Sequence, residues 1–433
     1  MFLDERLETM EREGFRVYQL RRLRRMLKVV LAQNPFYRRK LEAHGLTPGK
    51  VTRLRDVEAL PFTTKAEIAE DQLAHPPYGT NLTYPLERYV RFHQTSGSTG
   101  KPIRWLDTAE CWEWWNRCWG FVYKGVGVGP GDRLYFAFSF GPFIGFWSSF
   151  DTAPLVGALA IPGGGQDSLQ RLHALIENEC TVLLCTPTYA LRLAQVAREH
   201  GIDIAGSAIR TLILAGEPGA SIPAVKRRIE TAWGARCYDH SGMTEVGALS
   251  FECEAQPGGI HLIESEFIGE VLNPETGEPV KEGARGELVV TNLGRLGMPL
   301  IRYRTGDLVE LTRERCPCGR SFARLMGGIL GRTDDMIVVR GINVFPSAIE
   351  SILREFPEIE EYRVEVRRER EMDEIAIQIE LRQGAAAGLS EQVTNAIKRG
   401  LNITPRIHLA APGSLPRFEL KARRFVYQGE RRG

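Results

Sequence analysis

The stretch His93-Gln94-Thr95-Ser96-Gly97-Ser98-Thr99-Gly100-Lys101-Pro102 decides the reading of this chain. Its glycines let the backbone turn tightly and bring N–H groups close to phosphate oxygens. Ser96, Ser98 and Thr99 add hydroxyl donors, and Lys101 adds a positive charge. The mostly apolar segment Tyr89 to Phe92 precedes it and reads as a strand leading into a phosphate-binding loop. A loop of the GxxxxGK[ST] kind would need Gly at 95 and Ser or Thr at 102. Thr95 and Pro102 stand there instead, so a P-loop kinase or GTPase is disfavoured.

Outward from this loop, short apolar runs alternate with helical patterns from about Tyr89 to Gly216. Leu134 to Ser139, Thr181 to Cys185 and Thr211 to Ala215 read as strands; Ser168 to Glu177 and Pro187 to His200 read as helices. That alternation predicts an α/β sheet with helices on its faces. From Gly269 to Leu311 the pattern changes to strands and turns, with a turn at Asn273-Pro274-Glu275-Thr276-Gly277 and a strand from Gly286 to Thr291. Near Asp334 a separate helix-and-sheet unit begins. Pro346 starts a helix with Ile349, Ile352 and Leu353 on one face. Tyr362, Val364 and Val366 alternate, as do Ile375, Ile377, Ile379 and Leu381, and Leu389, Val393, Ala396 and Ile397 return to helical spacing. The charged run Arg367 to Asp373 reads as a solvated hairpin tip. Arg16 to Ala32 reads as a basic amphipathic helix with Leu20, Leu23, Leu27 and Val30 on the face that packs on the core.

The 433 residues suffice for two or three domains with a large core, and 43% hydrophobic and 25% charged residues are ordinary for a globular protein. A formal net charge of +2 gives no global basic excess, so neither nucleic acid nor a membrane is expected as partner. Met1 to Phe15 lacks the apolar core of a signal peptide, and no apolar run approaches the ~18 residues of a membrane span. Eight cysteines are too sparse for a disulfide framework, and a cytoplasmic location is expected. Cys180 and Cys185 flank an apolar run and read as core thiols. Cys316-Pro317-Cys318-Gly319 is a tight pair, and Cys253 and His261 lie upstream, eight residues apart. Together they could form a Cys₃His tetrahedral set for a structural Zn²⁺; the alternative is free thiols on a β-rich lobe.

Thr95 to Pro102 resembles the ATP-phosphate loop of the adenylate-forming superfamily of acyl-CoA ligases. Four further segments follow in that family's order: Tyr238 to Gly247 with its Thr244-Glu245 pair, Tyr303-Arg304-Thr305-Gly306-Asp307, Gly331-Arg332-Thr333-Asp334-Asp335-Met336-Ile337, and Leu415-Pro416-Arg417 followed by Lys421. The short length, Gly327 to Pro346 and the C-terminal stretch are most similar to the phenylacetate–CoA ligase branch. The resemblance implies an α/β fold: a large N-terminal adenylation domain of several subdomains, residues 1–333, and a small mobile α+β domain, residues 334–433.

It also implies roles. Thr95, Ser96, Gly97, Ser98, Thr99, Gly100 and Lys101 would hold the ATP phosphates. Tyr238, Asp239, His240 and Ser241 would surround adenine, although Ser241-Gly242 stands where the family commonly has Tyr-Gly. Gly216-Glu217-Pro218 would lie between the acyl and adenine sites. Asp307 would accept both ribose hydroxyls, Arg332 would reach ribose or phosphate, and Asp334 would be the pivot. Thr244 would bond the α-phosphate, Glu245 would ligate Mg²⁺, and Lys421 would be the catalytic lysine.

Phe136, Phe138, Phe140, Phe143, Phe146 and Trp147 are dense with aromatics and, with Tyr189, suit an aromatic or flat apolar acid, or simply fill the core. The expected reaction joins a small carboxylic acid and ATP into an acyl-adenylate and pyrophosphate, then passes the acyl group to coenzyme A. The alternatives are a carrier-protein thiol or amine as acceptor, AMP transfer to a phenolic hydroxyl, or a nucleotide-binding protein without chemistry. A homodimer is carried as an expectation.

Overall fold

Short apolar runs form the centre of the computed structural model, which describes all residues except 96–101, 340–341, 370–371, 383–387, 420 and 429–433. Leu159–Pro162, Arg133–Phe136, Val182–Cys185, Thr211–Ala215 and Arg236–His240 lie side by side in that order as a five-stranded sheet, every neighbour parallel. Leu134, Phe136, Val182, Leu184 and Ile213 enter one core, and Tyr135, Leu183, Cys185, Leu212 and Leu214 enter a second core on the other face. Burial on both faces is why these strands read as continuous apolar runs. Helices Ser168–Glu177, Pro187–Glu199 and Pro223–Trp233 contribute to the second core. Asp167 and Thr186 cap the first two through their side chains, and Pro187 and Pro223 preset the starts of the last two.

One expectation is corrected. Tyr89–Gln94 does not join the parallel sheet; it pairs antiparallel with Arg104–Thr108. The Gly/Ser loop therefore joins two strands of a hairpin, with Gln94 facing Arg104 just before it. Alternating burial in Tyr89–Gln94 fits a two-stranded ribbon with one face exposed.

Beyond residue 246, an antiparallel lobe arranges Ser250–Glu252, Gly259–Leu262, Arg324–Met326, Tyr303–Thr312, Arg285–Asn292 and Phe267–Leu272 in spatial order, and Gly331–Arg332 pairs with Tyr303–Thr312 off that path. The N-terminal helix, Arg12–Gln33, starts earlier than its sequence pattern suggests, because Phe15 and Gln19 are also buried. Gln19 donates to the carbonyls of Glu264 (2.8 Å) and Phe267 (3.0 Å), which ties the helix to the lobe.

A third core gathers Ile337, Ile349, Leu353, Tyr362, Val364, Ile377, Val393 and Ile397. Its sheet orders Arg406–Ala410, Met372–Leu381, Ile359–Glu369 and Phe425–Gln428, with helices Pro346–Arg354 and Leu389–Leu401. Phe425–Gln428 pairs parallel to Ile359–Glu369 and so anchors the segment just before it, which carries Lys421. The centre of the tip expected at Arg367 to Asp373 lies outside the described residues. Among the described residues no helix is long and apolar enough to cross a membrane.

Candidate active site

Strand Arg236–His240 ends at the C-terminal edge of the parallel sheet, where open α/β sheets present their ligand crevice. Asp239 is buried there. Its N–H donates to Glu252 (2.8 Å), its carboxylate accepts the Ser221 hydroxyl, and burial pushes it up to about 6. His240 follows, pushed down to about 4 by burial and therefore neutral at pH 7. Its Nδ1 lies 2.6 Å from the Ser250 carbonyl, which only accepts, so Nδ1 carries the proton. Ser241 shares a hydroxyl–hydroxyl bond of 2.6 Å with Ser250. Tyr238 points instead into the core, 5.7 Å from the ammonium of Lys226.

The turn after this strand carries Thr244 and Glu245. Their carbonyls accept from one guanidinium, Arg295, at 2.7 and 2.9 Å. Arg295 is wholly buried, paired bidentately with Asp107 (2.6 and 2.7 Å) and flanked by Trp105 and Trp115. The Tyr303 hydroxyl donates to Glu245 Oε1 at 3.1 Å. Four residues along the same strand, Asp307 faces Arg332 across an antiparallel pair, with 3.0 Å between their side chains. Burial pushes Asp307 up to about 7 against the pull of Arg332. Arg332 also reaches Asp334 at 2.9 Å and so ties the ribose candidate to the pivot candidate.

Lys421 enters this cleft from the small domain. A Cβ at Gly216 would lie 3.4 Å from its Cε, in contact with it, and Gly216 sits at φ +98°, in the left-handed region that favours glycine. Lys421 keeps solvent access, yet burial on its other sides pushes its pKa down, while Glu217, Glu245 and Asp307 oppose that shift. Both Glu217 oxygens are engaged by backbone N–H groups, Thr188 (2.8 Å) and Ala422 (2.8 Å), rather than facing a nucleotide. Thr95 closes the base of the phosphate loop, its Oγ1 accepting from Ile103 N–H at 3.0 Å. The candidates Ser96, Gly97, Ser98, Thr99, Gly100 and Lys101 lie outside the described residues.

The aromatic side chains form a contiguous wall. Phe138 contacts Phe140 (4.5 Å) and Phe146 (5.3 Å), Phe146 meets Trp119 (6.0 Å), and Trp119 lies 4.3 Å from His240. Tyr189 is not part of it: its hydroxyl bonds Ser168 and Arg171 in the second core. Arg295 and Trp119 escaped the sequence reading. The partners of Arg295 are far off along the chain, and Trp119 sits among four tryptophans of one helix with nothing local to single it out.

Cys253, His261, Cys316 and Cys318 place one ligand atom each within 4.8 Å of one another. His261 Nδ1 lies 3.2 Å from the Phe322 carbonyl and so holds the ring's proton, leaving Nε2 toward Cys318 at 3.5 Å.

Two family models match this chain: AMP-binding enzyme over residues 27–295 and AMP-binding enzyme C-terminal domain over 341–428. The phenylacetate-coenzyme A ligase of Thermus thermophilus is 34% identical, covering 97% of each chain. A solved 2-hydroxyisobutyryl-CoA ligase in the postadenylation state with R3-HIB-AMP superposes with TM-score 0.94 at 32% identity, covering 99% of this chain and 92% of that one. The same ligase with 2-HIB-AMP and CoA in the thioesterification state gives 0.75 at 33%, covering 98% and 91%. The chain belongs to the AMP-binding enzyme family, in its phenylacetate–CoA ligase branch. It is an ATP-dependent acid–CoA ligase, an acid–thiol ligase that works through an acyl-adenylate. Its two domains stand in the relation seen in the postadenylation form.

Proposed function

We propose that Lys421, Thr244 and Glu245 carry the adenylation of an aromatic or arylacetic acid in the cleft between residues 1–333 and 334–433. The observation that carries this reading is the entry of Lys421 into the cleft, its Cε against Gly216 just beyond the C-terminal end of strand Thr211–Ala215. The acid's carboxylate attacks the α-phosphorus of ATP, and pyrophosphate leaves. The Lys421 ammonium bridges the two reacting anions where charge builds in the transition state. Thr244 bonds the α-phosphate, residues 95–101 hold the outer phosphates, and Asp307 accepts the ribose hydroxyls with Arg332 beside it. Asp239, His240 and Ser241 border the adenine and acyl sites. The small domain then turns about Asp334, and the CoA thiol attacks the acyl carbon and releases AMP.

Glu245 is the fitting Mg²⁺ ligand: it is a hard oxygen donor whose Oε1 accepts from Tyr303, and among the described residues none takes its Oε2. When bound, that ion neutralises phosphate charge. The Cys253, His261, Cys316 and Cys318 donor set suits a structural Zn²⁺, three sulfurs and one nitrogen with the histidine tautomer already set. A cytoplasmic location is part of the same proposal, motivated by eight unpaired cysteines.

The aromatic wall from Phe140 to Trp119 and the name of the Thermus relative support the choice of acid. A second reading, a short hydroxy acid, is favoured by the likeness to 2-hydroxyisobutyryl-CoA ligase. Acid-dependent exchange of labelled pyrophosphate into ATP tests both, with arylacetic, benzoic and hydroxy acids in one panel. No exchange with any acid would sink this reading of the site.

A further inference from the structure

The cleft lysine stands on a segment that the large domain grips at two points. Directly after Lys421, the Ala422 N–H donates to Glu217 Oε2 at 2.8 Å. Two residues further on, Arg424 donates to Thr188 Oγ1 at 3.1 Å. The grips converge, because the other oxygen of Glu217 accepts the Thr188 N–H at 2.8 Å. Thr188 lies in the first turn of helix Pro187–Glu199, where N–H groups lack partners inside the helix. The Glu217 carboxylate satisfies one of them and stands at the favourable end of the helix dipole. Arg424 is buried and held from its own domain by Glu361 at 2.6 and 3.0 Å. Lys421 is thus set in register by two grips that directly follow it, one through the backbone N–H of Ala422 and one buried and charge-assisted through Arg424.

Other contacts between the two domains differ in kind. Arg198–Glu360 and Arg227–Glu355 are ion pairs whose arginines are 55% and 62% exposed, and such pairs contribute little. Arg228 also crosses the boundary, donating to the Ile359 carbonyl at 2.8 Å from a half-buried position, and the grip on Ala422 and Arg424 is the shielded contact beside Lys421. It belongs to the pose matched at 0.94, against 0.75 for the same relative in the thioesterification state.

We propose that Glu217 is the positioning residue that seats Lys421 for adenylation, and that parting of the Glu217–Ala422 and Thr188–Arg424 bonds releases the small domain for the thioester step. The proposal rests on the reading of Lys421 as the adenylating group. Glutamate is needed because two N–H donors converge on the side chain and only a carboxylate accepts with both ends; glutamine would turn an amide NH₂ toward one of them.

The test measures both half-reactions in single turnover for Glu217→Gln, Lys421→Ala and the double variant. Glu217→Gln is expected to slow acyl-adenylate formation about tenfold or more, the scale of one lost bond to a charged group. Thioester formation from preformed acyl-adenylate and CoA is expected to stay within about twofold, and on the Lys421→Ala background Glu217→Gln adds no further loss, because the two residues act as one unit. Equal slowing of both half-reactions, or full additivity in the double variant, overturns the proposal. If Lys421→Ala itself retains adenylation, the reading of Lys421 fails instead, and the two failures are told apart. Where Glu217→Gln does not fold, Thr188→Val decides. It removes the acceptor of Arg424 and keeps the backbone bond. The same split supports the proposal, and unchanged adenylation overturns it.

Discussion

Arg295 and Asp107 form a bidentate ion pair at 2.6 and 2.7 Å with neither side chain exposed to solvent. The pair links the strand after the phosphate loop to the turn that carries Thr244 and Glu245. Removing one partner leaves a buried charge alone, which costs about 3–5 kcal/mol. Arg295→Met should therefore lower unfolding free energy by that order in denaturant titration. Folded variant should also lose adenylation, since the two carbonyls that fix the Glu245 turn lose their donor. A loss within about 1 kcal/mol would mean that the site relaxes to pair Asp107 elsewhere.

Much of this arrangement was legible beforehand, for a physical reason. Strand Thr211–Ala215 and helix Ser168–Glu177 have the same ends in sequence and structure, because their apolar periods and caps are local. The order of Thr244-Glu245, Asp307, Arg332 and Lys421 was equally readable, since each stands in a short segment of its own. What stayed hidden is long-range. Nothing near Arg295 announces that it holds a turn fifty residues away. The pairing of Tyr89–Gln94 with a hairpin partner rather than the parallel sheet depends on a strand across the loop. Glu217 looked like a ligand residue, and its occupation by Thr188, distant in the chain, and by Ala422 of the small domain appears only in the folded protein.

Zinc should copurify at about one ion per chain, because one tetrahedral set needs four ligands. Metal analysis of protein made with zinc available checks this, and its absence there would refute the site. With zinc bound, Cys318→Ser should lower the melting temperature more than it lowers turnover per folded molecule. The cluster staples Cys253 and His261 to the Cys316–Cys318 turn and leaves no open coordination position.

Asp307 gives a pH signature. Burial pushes it up to about 7, so near neutrality part of the ligand-free protein holds a proton there. Only the carboxylate accepts both ribose hydroxyls. ATP affinity should therefore rise as pH climbs through about 7, with one proton released on binding below that value. Asp307→Asn keeps the titration of ATP itself and should lose this component, as calorimetry in two buffers of different ionisation enthalpy would read. The sign for stability is opposite. A carboxyl raised in the fold contributes stability present below its unfolded pKa and lost as pH rises through about 7. Asp307→Ala should weaken ATP binding tenfold or more, since charge-assisted bonds are each worth roughly 1.5–3 kcal/mol.

Lys421 should serve only the first half-reaction. Its ammonium lies in the cleft of a pose that matches the postadenylation form of a relative. In the thioester pose the same segment is expected to leave the cleft; Arg340 and Gly341, expected to meet the CoA arm together with Ile342 and Asn343, lie outside the described residues. Lys421→Ala should lose acyl-adenylate formation by on the order of a hundredfold or more, as removal of one transition-state donor does. Supplied with preformed acyl-adenylate and CoA, the variant should make thioester at a near-normal rate. The pH profile sharpens the test. Burial pushes the Lys421 pKa below the ordinary lysine value, so in the ligand-free enzyme the ammonium is lost at a lower pH than on a free lysine. The adenylation rate under subsaturating ATP and acid should fall on that alkaline limb, and Lys421→Arg, which keeps its charge, should not share it. Thioester formation should show no such limb. Equal loss in both half-reactions by a well-folded Lys421→Ala would make this lysine a common binding group and remove the argument for domain alternation.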